Sequence, residues 1–534
     1  MAKISSASFL ETPAMQAHEL AVEAVASRMR QLFETRTPFR VYHGSTNSTR
    51  RSQRRLDNTV DTSGLNRVLN VDTIKKAALV EPNVAMDALV EATLKHGLVP
   101  LVVMEFPGIT VGGGFSGTSG ESSSFRYGSF DSTINWIEMV LPNGDIARAS
   151  KTENPDLFWG AASAFGTLGV VTLLEVQLRE AKQYVQLNYR HVKDFNDVVK
   201  ILQHETLDGT PNDYVDAITF SLTSTIICTG RLVDTLPLNS FPQRFLRARD
   251  PWFSVHAQRI EKHLLANPQT LMQTDFIPIR DYLFRYDRGA FWTGFYAFRY
   301  FLTPFNRITR FLLNPFMHTR VMYRALHQSG LSDFHIVQDV GVPYSTATDL
   351  AIWLDENLDI YPLWLCPLRT RRDDGEAAHH GLHAEFADAE RTPEVLLNFG
   401  VWGPGSYSRR ECVRKNRELE AAVQRLGGKK WLYAQAFYTE EEFWAHYDRA
   451  AYDELRKRYH AGHLPSVYDK VKVDVDAEEA AALASWAAWV VAFVWRVWPL
   501  AGLYGVYRAV LGGDYLLQKR QAEPVEVGDN KKRA

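Results

Sequence analysis

Between residues 39 and 178, short apolar runs rich in Val, Ile and Leu alternate with Gly, Ser and Thr turns and a few helical stretches, the texture of an α+β unit. FRVYHG and AALVEP predict strands. Residues 83–96 place Val84, Leu89, Val90 and Leu94 near helical spacing and stop at Gly97, which predicts a helix packed on a sheet. NWIEMVLPNGDIARAS predicts two strands around the Asn143-Gly144 turn, so the fold is mixed and not doubly wound. Upstream, a polar–apolar pattern from Glu19 to Phe33 predicts another helix. Beyond about Ala181 the segments lengthen and fill with aromatics, most densely over residues 280–316, and mark a second domain. Those aromatics are read as core, with the lining of an apolar cavity as the alternative.

At the C-terminal end the run AAALASWAAWVVAFVW is uncharged for sixteen residues. A spanning helix needs about 20, and Arg496 and Pro499 interrupt any longer version. Trp486, Trp489, Trp495 and Trp498 suit an interfacial segment, so contact with a membrane surface or bilayer is expected through residues 480–511; a buried helix is the alternative. The N-terminus lacks the apolar core of a secretory signal and is read as starting in the cytosol. With 60 Lys+Arg against 62 Asp+Glu, and no long stretch of one sign, nucleic acid is not an expected partner. Cys228, Cys366 and Cys412 lie far apart and give neither a disulfide framework nor a paired-thiol metal spacing. The polar insertion over residues 369–392 is read as a solvated loop. Its His379, His380 and His383 lack the companions that would complete a metal site, and no metal is expected.

The chemistry is concentrated in GITVGGGFSGTSGESSSFRYG, residues 108–128, where seven glycines and many hydroxyls predict a loop lying against an anionic or planar ligand. Gly112, Gly114 and Gly117 satisfy G-x-G-x-x-G, yet the residues that follow are poor for the helix a dinucleotide fingerprint needs, which rejects a Rossmann reading. YHGSTNSTRR, residues 42–51, follows a predicted strand and offers neutral and charged donors for a pyrophosphate; taken alone it equally suits a basic surface turn.

These two loops, the helix between them and ENPDLFWGAASAFGTLGVVTLLEVQL form an ordered set that resembles the vanillyl-alcohol-oxidase or PCMH-type flavoprotein family. The resemblance implies FAD. His43, Gly44, Ser45, Thr46, Asn47, Ser48, Thr49 and Arg50 would lie on the pyrophosphate. Thr110, Val111, Gly112, Gly113, Gly114, Ser116, Gly117, Thr118, Ser119, Gly120, Glu121, Ser122 and Ser123 would lie along the flavin. Gly166, Thr167, Gly169, Val170 and Val171 would lie near the adenosine end. VEPNV, NPDLFW, GTLGVVT, QDVGVPY, IYPLWLCP, LYAQAFYTEEEFW and HLPSVYDK narrow the resemblance to the delta(24)-sterol reductase branch, the Diminuto and seladin type, over residues 39–470 with gaps.

That branch implies a PCMH-type FAD-binding domain of two α/β subdomains (residues 1–180) and an α+β cap or substrate domain (181–475) that returns to the flavin domain. A hydrophobic membrane-associated segment with a polar tail (476–534) follows. It implies an endoplasmic reticulum membrane location with the catalytic domain facing the cytosol. Animal and plant members begin with an anchor this chain lacks, so attachment is expected from the opposite end. The interior of the first loop is STNST, with His43 at its start, so FAD is expected to be non-covalent. By resemblance, NADPH reduces FAD, and the reduced flavin delivers hydride to the Δ24 bond of a sterol or related lipid while an acid supplies the proton. Tyr433, Tyr361, Arg285 and Arg288 are the candidates for proton donation or flavin electrostatics, with a structural role as the alternative that aromatic-rich surroundings favour; Glu121 stands behind them, equally readable as a loop cap. Two other readings stay open: an oxidase or dehydrogenase of another lipid or secondary metabolite, and a non-catalytic membrane sterol-binding protein. The substrate, the direction of the reaction and the oligomeric state stay open as well.

Overall fold

Val22, Val25, Ala26, Met29 and Leu32 recur every three or four residues, and all are buried along one side of the Pro13–Glu34 helix. Thr12 caps it, its hydroxyl accepting from the Met15 amide at 3.3 Å, with Pro13 in the first turn. The computed structural model describes residues 12–43, 56–372, 379–388, 390, 392–483 and 497–512.

Among the described residues three sheets form. β1 (Arg40–Tyr42) pairs in parallel with β2 (Thr59–Asp61). β3 (Val68–Asp72), β4 (Ala77–Val80), β5 (Leu98–Pro100), β6 (Ile134–Val140), β7 (Ile146–Ser150) and β8 (Val170–Glu180) build an antiparallel sheet in the order β3-β4-β8-β6-β7, with β5 also on β8. The Met86–Leu94 helix buries Met86, Leu89 and Val90 against this sheet. Gly144 takes the left-handed conformation that the tight β6–β7 turn requires, at φ +88°.

The third sheet has eight strands: β9 (Tyr184–Val192), β10 (Tyr214–Ser221), β11 (Ser224–Val233), β12 (Gln273–Pro278), β13 (His335–Pro343), β14 (Leu363–Arg369), β15 (Val395–Pro404) and β16 (Lys429–Lys430), in the order β12-β9-β11-β10-β14-β15-β13-β16. Strict alternation gives it two different faces. Leu363, Leu365, Leu397, Phe399 and Val401 pack under the helices Phe195–Glu205, Ala347–Asn357 and Arg409–Arg425. Trp364, Cys366, Leu396 and Trp402 point the other way and join the core of the β3–β8 sheet. A one-residue slip of β14 would exchange these sets, so the register also fixes what faces the β3–β8 sheet.

Residues 440–483 return to the first unit. Arg458 pairs with Asp156 at 2.6 Å, the Tyr452 hydroxyl meets Thr167 Oγ1 at 2.7 Å, and Lys470 Nζ donates to the Phe165 carbonyl at 2.8 Å.

Three expectations change. The first half of the glycine-rich loop is a helix, Val111–Gly117. Glycine disfavours helix by about 1 kcal/mol each, but packing leaves no choice. A Cβ on Gly112 would sit 2.7 Å from Pro82 Cβ, and one on Gly114 would run into Met104 Cε. The insertion over residues 369–392 is not simply solvated: His383 is buried, stacking on Phe386 with ring centroids 4.8 Å apart, and Arg372 lies 4.2 Å over the Trp159 ring. Leu382 and Phe386, hidden among charges, anchor it. No metal-binding group of His, Cys, Asp and Glu occurs among the described residues. The aromatics of residues 280–316 divide between both readings, with Tyr282, Tyr286 and Phe298 buried in the core and Phe291, Tyr296, Tyr300, Phe301 and Phe316 on a cavity wall.

Of the C-terminal hydrophobic segment, residues 484–496 lie outside the described ones. The Leu500–Gly512 helix follows, and no helix among the described residues is long and apolar enough to cross a membrane.

Candidate active site

The face of the eight-stranded sheet that carries Trp364 and Trp402, together with the first unit, encloses a cavity of about 1720 Å³. Single small-molecule sites usually occupy ~300–1,000 Å³, so this one has room for a large cofactor and a substrate together.

At one end lie His43 after β1, Pro82 and Asn83 after β4, and Gly166, Gly169, Val170 and Val171 leading into β8. Gly166 has φ +75°, and its missing side chain leaves the wall open. Thr167 stands behind, donating its hydroxyl to the Ala164 carbonyl at 2.8 Å. Gly44, Ser45, Thr46, Asn47, Ser48, Thr49 and Arg50 lie outside the described residues.

The middle of the wall is the Val111–Gly117 helix and its continuation. Thr110 caps the helix, accepting from the Gly113 amide at 3.1 Å. Thr110, Gly112, Gly113, Ser116, Gly117, Ser119, Gly120 and Glu121 face the cavity. The other predicted members hold these from behind. Val111 and Gly114 are core, the Thr118 carbonyl accepts from Trp431 Nε1 at 2.9 Å, Ser122 Oγ lies 3.5 Å from the Tyr282 hydroxyl, and Ser123 Oγ donates to the Leu101 carbonyl at 2.9 Å. A Cβ on Gly117 would meet nothing closer than Ser119 Oγ at 3.8 Å, so that position is open to a ligand. Oε2 of the buried Glu121 has no hydrogen-bond partner among the described residues, a second sign that the wall is built to meet a bound group.

Behind Glu121 is a buried ionic cluster. Arg285 Nη2 lies 3.0 Å from Glu105 Oε1 and 2.7 Å from Asp216 Oδ2, and Asp216 also accepts from Tyr286 and Trp364 at 3.2 and 3.1 Å. One guanidinium serves two carboxyl groups. Burial pushes Glu105 up to about 7 against the pull of Arg285, and burial with the neighbouring Glu105 holds Glu121 well above the usual carboxylate range. Glu121 is thus held toward its protonated form where the cluster meets the cavity wall. Arg285 acts on the cavity through Glu105, without lining it.

Opposite stands a polar group on β13 that sequence reading did not single out. Asp339 lines the cavity, accepts from the Tyr433 hydroxyl, and accepts from Asn398 Nδ2 at 2.9 Å. Burial raises its carboxyl to about 6 against the hydrogen bonds of Tyr433, Asn398 and Trp402. Tyr433 itself is held well above its ordinary value by burial and then by Asp339. The missed signal was period 2: Ile336, Val340 and Val342 face the helices, which puts Asp339 on the cavity side. Tyr433 thus joins the site, whereas Tyr361 and Arg288 do not. The Tyr361 hydroxyl donates to Asp355 at 2.7 Å, outside the cavity. Arg288 is consumed by the carbonyls of Phe245, Ala248 and Asp250, at 2.9, 3.0 and 2.9 Å, and ties down that loop. Both sit in aromatic-rich sequence that hides the difference.

The far end of the cavity turns apolar, lined by Tyr300, Phe301, Leu302, Leu326, Trp498 and Val506.

A family model described as FAD binding domain matches residues 21–150, which contain both predicted flavin loops. With a glycine wall beside buried acids, this defines an FAD-dependent oxidoreductase with a PCMH-type flavin domain. The chain is 30% identical over 415 residues to the delta(24)-sterol reductases of Rattus norvegicus and Homo sapiens, covering 76% of this chain and 76% of each relative. The same enzyme of Arabidopsis thaliana is 28% identical over 449 residues, covering 77% of this chain and 76% of that protein. The chain belongs to the delta(24)-sterol reductase family.

Proposed function

We propose that the protein reduces the Δ24 side-chain double bond of a sterol or related lipid, with NADPH as the electron source. The observation that carries this reading is the single cavity that joins the glycine wall to an apolar far end, with the protonatable Tyr433–Asp339 pair on its side. The names of the relatives support it.

Alkene reduction adds a hydride to one carbon and a proton to the other. No side chain donates hydride, and bound FAD, once reduced, supplies it. His43, Gly112, Gly113, Gly117, Gly166 and Gly169 would hold the cofactor without a covalent bond. Glu121, which burial beside Glu105 holds toward its protonated form, would meet it with little added charge. With Asp339 protonated, its carboxyl donates to the Tyr433 oxygen instead of accepting from it; Tyr433 then gives its hydroxyl proton to the second alkene carbon, and the Asp339 proton restores it. Phe291, Trp364 and Trp402 exclude water around that pair, with ring centroids of Phe291 and Trp402 4.3 Å apart. NADPH leaves as NADP⁺.

Contact with a membrane through residues 480–511, on the cytosolic side of the endoplasmic reticulum, belongs to the same proposal. Exposed Trp498, Leu503, Tyr507 and Leu511 support it. The test is incubation of membranes bearing the full chain with a Δ24 sterol and NADPH. The saturated side chain is the expected product; FAD-loaded protein that yields none would overturn the reading.

A further inference from the structure

The Arg307–Leu312 helix places Ile308, Phe311 and Leu312 at i, i+3 and i+4, on one side, and all three are exposed, at 70%, 52% and 66%. Phe295 and Leu302, just before it, are exposed as well. The Leu500–Gly512 helix does the same with Leu500, Leu503, Tyr507 and Leu511. Its opposite side, Ala501, Gly502, Gly505 and Ala509, is buried. Gly502 and Gly505 have no space for a Cβ against Tyr300 and Ala325, so this helix is seated closely on the chain below it. Trp498 Nε1 donates to the Tyr300 carbonyl at 2.7 Å. The two apolar ridges therefore flank the same stretch, Tyr300 to Leu302, which with Trp498 and Gly502 lines the outer end of the cavity.

Charge singles out the same surface. The chain as a whole carries -2. Yet residues 289–332 contain Arg299, Arg307, Arg310, Arg320 and Arg324 and no acidic residue, and residues 497–512 add Arg508 and again no acid. Arg320 is paired with Asp87, while Arg299 and Arg307 are exposed. Exposed Leu, Ile and Phe in an acid-free, arginine-bearing surround match an interface of acyl chains and anionic headgroups.

We infer that residues 295–312 and 497–511 form one docking face for a phospholipid bilayer containing anionic lipid, onto which the cavity opens so that an apolar substrate enters from the bilayer. The face extends the membrane contact beyond the C-terminal run. It rests on the reading of the cavity as a site for an apolar lipid.

The test is flotation of full-length, FAD-loaded protein with phosphatidylcholine vesicles and with vesicles containing phosphatidylserine. Binding is expected to be stronger to the second, to weaken with salt, and to fall roughly tenfold or more in Ile308→Glu/Phe311→Glu/Leu312→Glu with flavin absorbance retained. Leu503→Glu/Tyr507→Glu, on the second ridge, is expected to act in the same direction and serves should the triple variant lose its flavin. Wild-type flotation by both variants would overturn the inference, as would indifference to anionic lipid. A wild-type dimer that the substitutions dissociate, with no vesicle binding, would reassign the face to a second copy of the chain. Flotation reads the face without turnover, so an enzyme that binds vesicles but reduces no sterol counts against the proposed reaction alone.

Discussion

Replacing Arg285 by Met removes the cation from the centre of the buried acid cluster while keeping a side chain of similar length. Arg285 is 1% exposed and contacts Glu105 at 3.0 Å and Asp216 at 2.7 Å, so the variant leaves two buried carboxyl groups without their partner. Breaking a buried ion pair from one side costs about 3–5 kcal/mol. The guanidinium also lies 4.1 and 4.6 Å from the Tyr282 and Tyr286 rings. That contact is worth roughly 0.5–2 kcal/mol, and the Met thioether restores part of it. Against a native stability of about 5–15 kcal/mol, the expected loss is a large fraction. Its pH dependence identifies the cause. Glu105 sits at about 7, above the usual carboxylate value, so the stability it contributes is complete at low pH and is lost as pH rises through 7. Without Arg285 the carboxyl has no cation to ionise beside, and the gap between variant and wild type widens from pH 5 to pH 8. Urea midpoints followed by tryptophan fluorescence at both pH values measure it, with flavin absorbance reporting the nearby wall. An equal gap at the two pH values, or one under about 1 kcal/mol, would refute an electrostatic role for Arg285.

Gly117→Val is expected to fold and to lose FAD at least tenfold in occupancy, because its new side chain enters open cavity; Gly114→Val, driven into Met104, is expected instead to cost about 1–3 kcal/mol of stability. Visible absorbance and thermal unfolding of the two proteins separate these outcomes. Asp339 holds its proton below about 6, so oxidation of the reduced flavin by sterol slows as pH rises through that value. Asp339→Asn is expected to flatten this profile and lower the rate by ~10²-fold or more, read in single turnovers. His18 is buried between Glu81 at 3.0 Å and Glu138 at 3.4 Å. Burial alone would lower its pKa, but its hydrogen bonds to Glu138 and Glu81 prevail and lift it to about 9. Its stabilisation is complete below the ordinary histidine value of about 6.5 and disappears as pH rises through 9. His18→Gln is therefore expected to cost roughly 1–3 kcal/mol at pH 7 and much less at pH 10, by urea midpoints.

What could be read from the chain alone was whatever local period determines. The β6–β7 hairpin follows from alternation around Asn143-Gly144, and the helix over residues 83–96 from its apolar spacing. The Val111–Gly117 helix could not be read, because three consecutive glycines argue against helix, and what requires Gly112 and Gly114 is Pro82, Met104 and Phe130, which lie outside the segment. His383 was hidden for a similar reason, since one of the rings that enclose it, Tyr447, lies more than sixty residues later. Among the catalytic candidates, Tyr433 and Tyr361 have the same aromatic surroundings in sequence. Only the fold gives one Asp339 in the cavity and the other Asp355 outside it. The absence of acidic residues over 289–332 is visible in the sequence, but its meaning depends on the fold bringing residues 497–512 beside it.

The central claim is that flavin in this cavity passes electrons from NADPH to the side-chain alkene of a sterol. Anaerobic stopped-flow mixing of the FAD-loaded protein with NADPH, then with a Δ24 sterol in vesicles, tests it most directly. The account predicts bleaching of the flavin by NADPH and recovery of its absorbance by the sterol, with one saturated side chain formed per flavin reoxidised. A reduced flavin that ignores the sterol but is rapidly reoxidised by O₂, after reduction by a substrate other than NADPH, would contradict it.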